Sequence, residues 1–315
     1  MTKPVLTVTL NPALDLTVSL STLHAGEVNK AQAGSLRAAG KGINVAAVLK
    51  DLDHTVTATG FLGENNHAQF QDFCEQKAVD NRFLFIPGAT RINVKISEVG
   101  GRVTDVNLPG LNVPASYWQL LKDNLVPLAK QCSAVVLAGS LPPGLQQNAY
   151  AELIHLLKDC DVPVVVDTSG EALLAAVAAK PALIKPNVHE LEVFTGQPVT
   201  NQQQLLAAGK KLIADGIANV VISDGEKGCY WLTENRIVKA VPPLMDVVST
   251  VGAGDSLVAG LTHCLVNKTA LPEGLQLACA VSAHAVEQVG VGILSAERLQ
   301  QILELVRVED LSGSL

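Results

Sequence analysis

Aromatic side chains are scarce in this sequence, at 3% of residues. Single-stranded nucleic acid is held on repeated Phe, Tyr and Trp platforms, so that mode of binding is poorly supported. Charge is thin as well: 17% of residues are Asp, Glu, Lys or Arg, and 23 basic residues face 30 acidic ones, for a formal net charge of −7. Such a chain lacks the basic surface that holds a nucleic-acid backbone or an anionic membrane. The six cysteines, Cys74, Cys132, Cys160, Cys229, Cys264 and Cys279, form no C-x-x-C pair and have no His at zinc-finger spacing. They read as reduced, mostly buried thiols. No long hydrophobic run opens the chain either, because Asn11, Pro12 and Asp15 interrupt the apolar stretch after Lys3. Neither a secretory leader nor a membrane span fits there, and a cytoplasmic protein is the expectation.

Apolar residues are abundant, at 48% of 315. That excludes intrinsic disorder, and the length suits one large α/β domain with an appendage, or two units of roughly 150 residues. Short β-branched runs at 5–10, 55–62, 134–138, 162–167, 182–185 and 219–223 alternate with helical stretches. This pattern predicts a largely parallel sheet covered by helices on both faces. The run at 162–167 ends in Asp167, whose carboxylate would emerge at the carboxyl edge of the sheet, where open α/β folds bind ligands.

Two stretches depart from the pattern. Residues 14–20 alternate apolar and polar, and 90–108 reads as two alternating strands around a two-residue Gly100-Gly101 turn. Half-buried antiparallel strands need something to cover their apolar face, which suggests a lid, a dimer interface, or both. The carboxyl third reads as helices over 252–267, 272–288 and 295–306, with a frayed tail at 311–315.

The sharpest local feature is Ser249-Thr250-Val251-Gly252-Ala253-Gly254-Asp255-Ser256, which opens a helix. Small residues allow close backbone approach, and the helix start aims unpaired N–H groups at an anion. Asp255 is equally at home there as a partner of the helix dipole. The dinucleotide fingerprint is excluded, since its third glycine would be residue 257, which is Leu. Gly40-Lys41-Gly42-Ile43-Asn44 is not a Walker loop, because Gly42 stands where Ser or Thr is required. It supplies a cation and an amide near the start of a helix expected over 43–51, or simply a tight turn with a surface Lys.

Lys185-Pro186-Asn187-Val188-His189-Glu190 sets Asn187 and Glu190 on one helix face, an arrangement that helix capping explains as well. Ser223-Asp224-Gly225-Glu226-Lys227-Gly228 joins two apolar strands as a hairpin turn would. Thr90-Arg91-Ile92-Asn93 opens the second alternating stretch, with Arg91 able to grip a phosphate in two places or to sit solvated on an edge strand.

Taken together and in this order, these motifs resemble the ribokinase-like carbohydrate kinases of the PfkB family over nearly the whole chain. The likeness rests on Ala39-Gly40-Lys41-Gly42-Ile43-Asn44-Val45-Ala46 and Val248-Ser249-Thr250-Val251-Gly252-Ala253-Gly254-Asp255-Ser256. Within the family, Thr9-Leu10-Asn11-Pro12-Ala13-Leu14-Asp15, Thr90-Arg91-Ile92-Asn93-Val94-Lys95, Gly139-Ser140-Leu141-Pro142-Pro143-Gly144 and Lys185-Pro186-Asn187-x-x-Glu190 look most like the branch acting on phosphorylated ketohexoses.

The resemblance implies one α/β, ribokinase-like kinase domain over 1–315, a mostly parallel sheet between helices, with a β-sheet lid formed by about 14–40 and 90–110. It implies ATP and magnesium as cofactors, and a homodimer formed through the lid. Asp255 would be the base, with Gly252, Ala253 and Gly254 forming the anion hole. An Asp at its ordinary pKa near 3.9 is already ionised at neutral pH, so the role requires no shift. Lys185, Asn187, Ser223, Asp224, Gly225, Gly228, Ser249, Thr250 and Val251 would meet the nucleotide. Asn187 and Glu190 would hold the water shell of the metal. Asp15, Gly40, Lys41, Asn44, Arg91, Asn93, Ser140 and Asp255 would hold the sugar phosphate. The implied reaction is ATP with fructose 1-phosphate giving fructose 1,6-bisphosphate, with tagatose 6-phosphate or fructose 6-phosphate as alternative substrates. A kinase-like sugar-phosphate sensor without turnover is the reading from another class.

Overall fold

The computed structural model describes residues 3–314. An eleven-stranded sheet runs through them. From one edge its order is Arg307–Asp310, Ile237–Val241, Cys229–Leu232, Asn219–Ser223, Leu183–Ile184, Val164–Asp167, Ala134–Ala138, Val5–Thr9, Val56–Gly63 and Asp80–Asn81, with Leu84–Ile86 also pairing to Val56–Gly63. Pairing is parallel from Asn219–Ser223 to the Asp80–Asn81 edge. It is antiparallel across the three strands at the other edge.

The apolar runs alternate between the two faces. Val5, Val136 and Val165 enter one core, with helices Lys41–Asp51, Ala253–Asn267 and Leu271–Val286. Leu6, Val135 and Val166 enter the other, with helices Ala115–Ala129, Ala149–Leu157 and Gln202–Ala214. Every residue of Ala134–Ala138 is buried, as strands covered on both faces require. All six cysteines are free, and all but the half-buried Cys160 are buried.

A separate four-stranded sheet has the order Ala33–Ala39, Ala13–Leu20, Ile92–Glu98, Val103–Val106. Its middle pair is parallel and its outer pairs are antiparallel. The Ala33–Ala39 strand is the one that periodicity did not reveal: Ala-Gly-Ser-Leu-Arg-Ala-Ala contains no β-branched residue, and pairing with Ala13–Leu20 makes it a strand. The turn at Gly100-Gly101 differs from the expected two-residue loop. Strands end at Glu98 and resume at Val103, with Glu98 N–H donating to the Arg102 carbonyl. A two-residue type I′ loop needs positive φ at both central positions, and only Gly101 has it, at 81°.

The chain end differs too. Arg307–Asp310 is an edge strand, Leu311 N–H donates to the Ile237 carbonyl at 2.8 Å, and Ser312–Ser314 form a single helical turn. The expected fraying at 311–315 is therefore replaced by sheet pairing as far as Leu311, and residue 315 lies outside the described residues.

Candidate active site

The helix Lys41–Asp51 begins two residues earlier than its apolar periodicity indicated, so that Lys41 and Asn44 share its first turn. Gly42 lets that turn lie against the first strand: a Cβ there would stand 2.3 Å from Thr9 Oγ1. Opposite, Gly252 caps the helix Ala253–Asn267 at φ 83°, and a Cβ on it would meet Val291 Cγ2 at 2.6 Å. No side chain caps this helix; Ala253 N–H makes only a long bond to the Thr250 carbonyl, at 3.4 Å, and the helix start faces the space in front of it.

Between these two helix starts lies a charged cluster. Asn44 Nδ2 donates to Asp255 Oδ2 at 2.7 Å. Lys41 Nζ stands 2.9 Å from Asp167 Oδ2, and Lys185 Nζ 3.4 Å from Asp167 Oδ1. Asp167 and Lys185 are 1% and 5% exposed, so one acid sits between a buried cation and the more exposed Lys41. Burial pushes the Asp167 carboxyl up, but Lys185 and Lys41 outweigh it and hold the group below its usual range. A Cβ on Gly254 would lie 3.8 Å from Lys185 Nζ, so that amine looks directly at the uncapped helix start.

Asp255 itself is not at its ordinary pKa. Burial, and then the neighbouring Asp167 charge, push it up to about 6, against the pull of Lys41, Asn44 and Lys185. The base role does not require this shift; it comes from desolvation, which residue order alone does not specify.

Around this centre, Asn187 and Ser223 are bridged as parallel neighbours at the sheet edge, and the Ser223 N–H donates to the Pro186 carbonyl. Asp224, Gly225 and Gly228 form the tight turn into Cys229–Leu232, with Asp224 N–H donating to the Gly228 carbonyl at 2.8 Å. Ser249 Oγ accepts from Val251 N–H at 3.2 Å, and Thr250 leads into the Gly252 cap. Asn187 and Glu190 form a reciprocal capping box, Asn187 Oδ1 accepting from Glu190 N–H and Glu190 Oε2 from Asn187 N–H. The capping explanation is what their side chains do here, and it leaves Glu190 Oε1 unengaged.

Toward the small sheet, Ser140 Oγ accepts from Asn11 Nδ2 at 3.1 Å, and Gly40 caps the Lys41–Asp51 helix. Asp15 accepts from Asn93 Nδ2 and pairs with Lys95. Arg91 spends three N–H groups on the carbonyls of Pro12, Leu108 and Asn11. It therefore ties the two segments of the small sheet to the first loop and has two further N–H groups beyond these bonds. Asn11 and Lys95 were not singled out as site residues by sequence reasoning, although both lie inside the motifs quoted for the resemblance.

A family model described as the pfkB family carbohydrate kinase matches residues 8–298. The chain belongs to the pfkB family of carbohydrate kinases. It is 45% identical over 311 residues to a 1-phosphofructokinase of Vibrio cholerae, covering 99% of this chain and 98% of that one. It is 41% identical to a 1-phosphofructokinase of Escherichia coli, covering 98% and 99%. Among solved structures, phosphofructokinase-2 from Escherichia coli in complex with potassium superposes with a TM-score of 0.90 at 26% identity, covering 96% of this chain and 98% of that one. A tetrameric inhibited form of the same enzyme gives 0.89. This pfkB kinase transfers a phosphoryl group to an alcohol and takes ATP as its donor. No helix among the described residues is long and apolar enough to cross a membrane.

Proposed function

We propose that this pfkB kinase phosphorylates the 6-hydroxyl of fructose 1-phosphate, giving fructose 1,6-bisphosphate and ADP. The observation that carries the chemistry is Asp255, buried at an uncapped helix start and faced by Lys41 and Lys185. The curated relatives supply the choice of sugar.

Asp255 accepts the proton of the attacking hydroxyl, oriented by Asn44 Nδ2 on its Oδ2. The N–H groups at Gly252, Ala253 and Gly254 meet the transferring phosphoryl, and Lys185 beside Gly254 offsets its charge. The turn Ser223–Gly228 and the 249–251 segment hold the nucleotide, while Asp15, Asn93, Arg91, Lys41, Gly40 and Ser140 hold the phosphosugar.

Magnesium fits the residues present. No group of three or more His, Cys, Asp or Glu among the described residues could cage a metal. Asp167 Oδ1, however, is engaged only by Lys185 at 3.4 Å, and Glu190 keeps one oxygen unengaged. That set suits an ion that retains its waters, and when bound it would supply charge screening for the ATP phosphates. Asn187 and Glu190 would hold its water shell.

The small sheet acts as the lid of a single kinase domain and keeps water from competing for the phosphoryl group. Its half-exposed apolar face, Leu16, Val18, Leu36, Val94, Ile96 and Val106, is where a second copy would pair, and sedimentation of an Ile96→Asp variant tests that dimer. The need for ATP supports a cytoplasmic location. An ADP-release assay with fructose 1-phosphate, fructose 6-phosphate and tagatose 6-phosphate side by side tests the substrate: fructose 1-phosphate should have the highest kcat/KM. Preference for either other sugar, or no turnover with any, overturns this function.

A further inference from the structure

Lys95 takes no part in the mechanism above, yet its Nζ lies 2.8 Å from Asp15 Oδ2, with the two side chains 18% and 20% exposed. Asn93 Nδ2 donates to the other oxygen, Asp15 Oδ1, at 3.2 Å, so both carboxylate oxygens are engaged. Asn93 Oδ1 is buried and has no hydrogen-bond partner. Local structure does not call for this trio: Asp, Asn and Lys are poor strand formers, and all three sit inside strands where nothing needs capping.

Register shows where the trio faces. Asp15 is opposite Asn93 on one side and Arg37 on the other, and Thr17 is opposite Lys95, so these residues share one face of the small sheet while Leu16, Val94 and Ile96 share the other. Arg37 Nη1 stands 2.8 Å from where a Cβ on Gly290 would be, and Gly290 precedes Val291, which abuts Gly252. The polar face therefore looks toward the anion hole.

A phosphosugar attacked at one end carries a dianion at the other, and that end needs a cation of its own. Lys41 and Lys185 stand at Asp167 beside the base, at the end of the sugar where transfer occurs. Arg91 is pinned by three backbone carbonyls and keeps two N–H groups, so it can share that charge but is not free to follow it. In the strands of this sheet only Arg37 and Lys95 are cations on the polar face, and Arg37 is exposed at the rim. Lys95 has a partner that a ligand can replace, since sugar hydroxyls can donate to Asp15 and to the waiting Asn93 Oδ1.

We propose that Lys95 is a specificity-determining residue that reads the phosphate the sugar already carries, its ammonium passing from Asp15 to that phosphate as hydroxyls occupy Asp15 and Asn93. The inference rests on the phosphosugar-kinase reading. Its test compares full-length wild type with Lys95→Met and Lys95→Arg on fructose 1-phosphate and on unphosphorylated fructose at saturating ATP, with melting temperatures alongside. In Lys95→Met the preference for the phosphorylated sugar should fall about 10- to 100-fold, through KM for fructose 1-phosphate, while fructose turnover changes little and Lys95→Arg recovers most of the loss. Calorimetric Kd for fructose 1-phosphate should weaken by a similar factor and lose part of its salt dependence. Equal losses on both sugars, or an unchanged Kd and salt dependence, overturn the role and leave Lys95 as a support for Asp15. A wild type inactive on fructose 1-phosphate would instead overturn the functional reading beneath it.

Discussion

Asn44 Nδ2 and Asp255 Oδ2, 211 residues apart in the chain, meet at 2.7 Å. This bond joins the first turns of two helices on one face of the sheet, and it fixes the base relative to the cation-bearing segment around Lys41.

Asp255→Asn should abolish turnover and stabilise the fold. A carboxyl raised to about 6 binds its proton more readily folded than unfolded. The stability it lends is complete below its ordinary value near 4 and is lost as pH rises through about 6. At pH 8 the amide escapes that loss, of order about 3 kcal/mol. Denaturant unfolding at pH 8 and pH 5 checks the sign: the variant's advantage should shrink at the lower pH, and a less stable variant at pH 8 contradicts it.

The pH profile of kcat/KM should fall on its acid side near 6, because the base must be ionised in the free enzyme. Lys41 pulls that value down, so Lys41→Met should move the acid limb to higher pH. A limb that stays put, or moves lower, would detach Lys41 from the electrostatics of the base.

Gly254→Ala and Gly252→Ala should separate chemistry from folding. At 254 the added methyl meets only Lys185 Nζ, at 3.8 Å, so stability should hold or rise by up to about 1 kcal/mol while kcat drops. At 252 the positive φ and the Val291 contact should destabilise the protein outright. Melting temperature against kcat distinguishes them; a Gly254→Ala enzyme with full kcat removes Gly254 from the anion hole.

Arg91→Ala should raise KM for the phosphosugar more than KM for ATP, and Arg91→Lys should not restore it. Three carbonyls in fixed positions match a planar fork and not a single ammonium. Full recovery by Lys would show that only charge matters there.

Glu190→Gln should keep the capping box, since its amide oxygen can still accept from Asn187 N–H. Melting temperature should therefore hold while the magnesium concentration for half-maximal rate rises. An unchanged magnesium requirement would leave Glu190 with capping alone.

The sheet was legible in the sequence because strands buried on both faces must be continuously apolar, as Ala134–Ala138 is, and its boundaries match. The family signatures placed Asp255, the Gly252 cap and the Lys41 turn. The Ala33–Ala39 strand was hidden because only its neighbour makes it a strand, and the Arg307–Asp310 edge strand because it lies beside a strand some seventy residues earlier. Residue order sets which groups are present and which local backbone they favour: a helix start rich in glycine, a cation before a helix, an acid at a strand end. Only the tertiary structure decided that Lys41 and Lys185 share Asp167, that burial lifts Asp255 to about 6, that Arg91 serves carbonyls, and that Lys95 waits on Asp15. Each of these depends on desolvation or on a distance between residues far apart in the chain, quantities set by packing and not by local order.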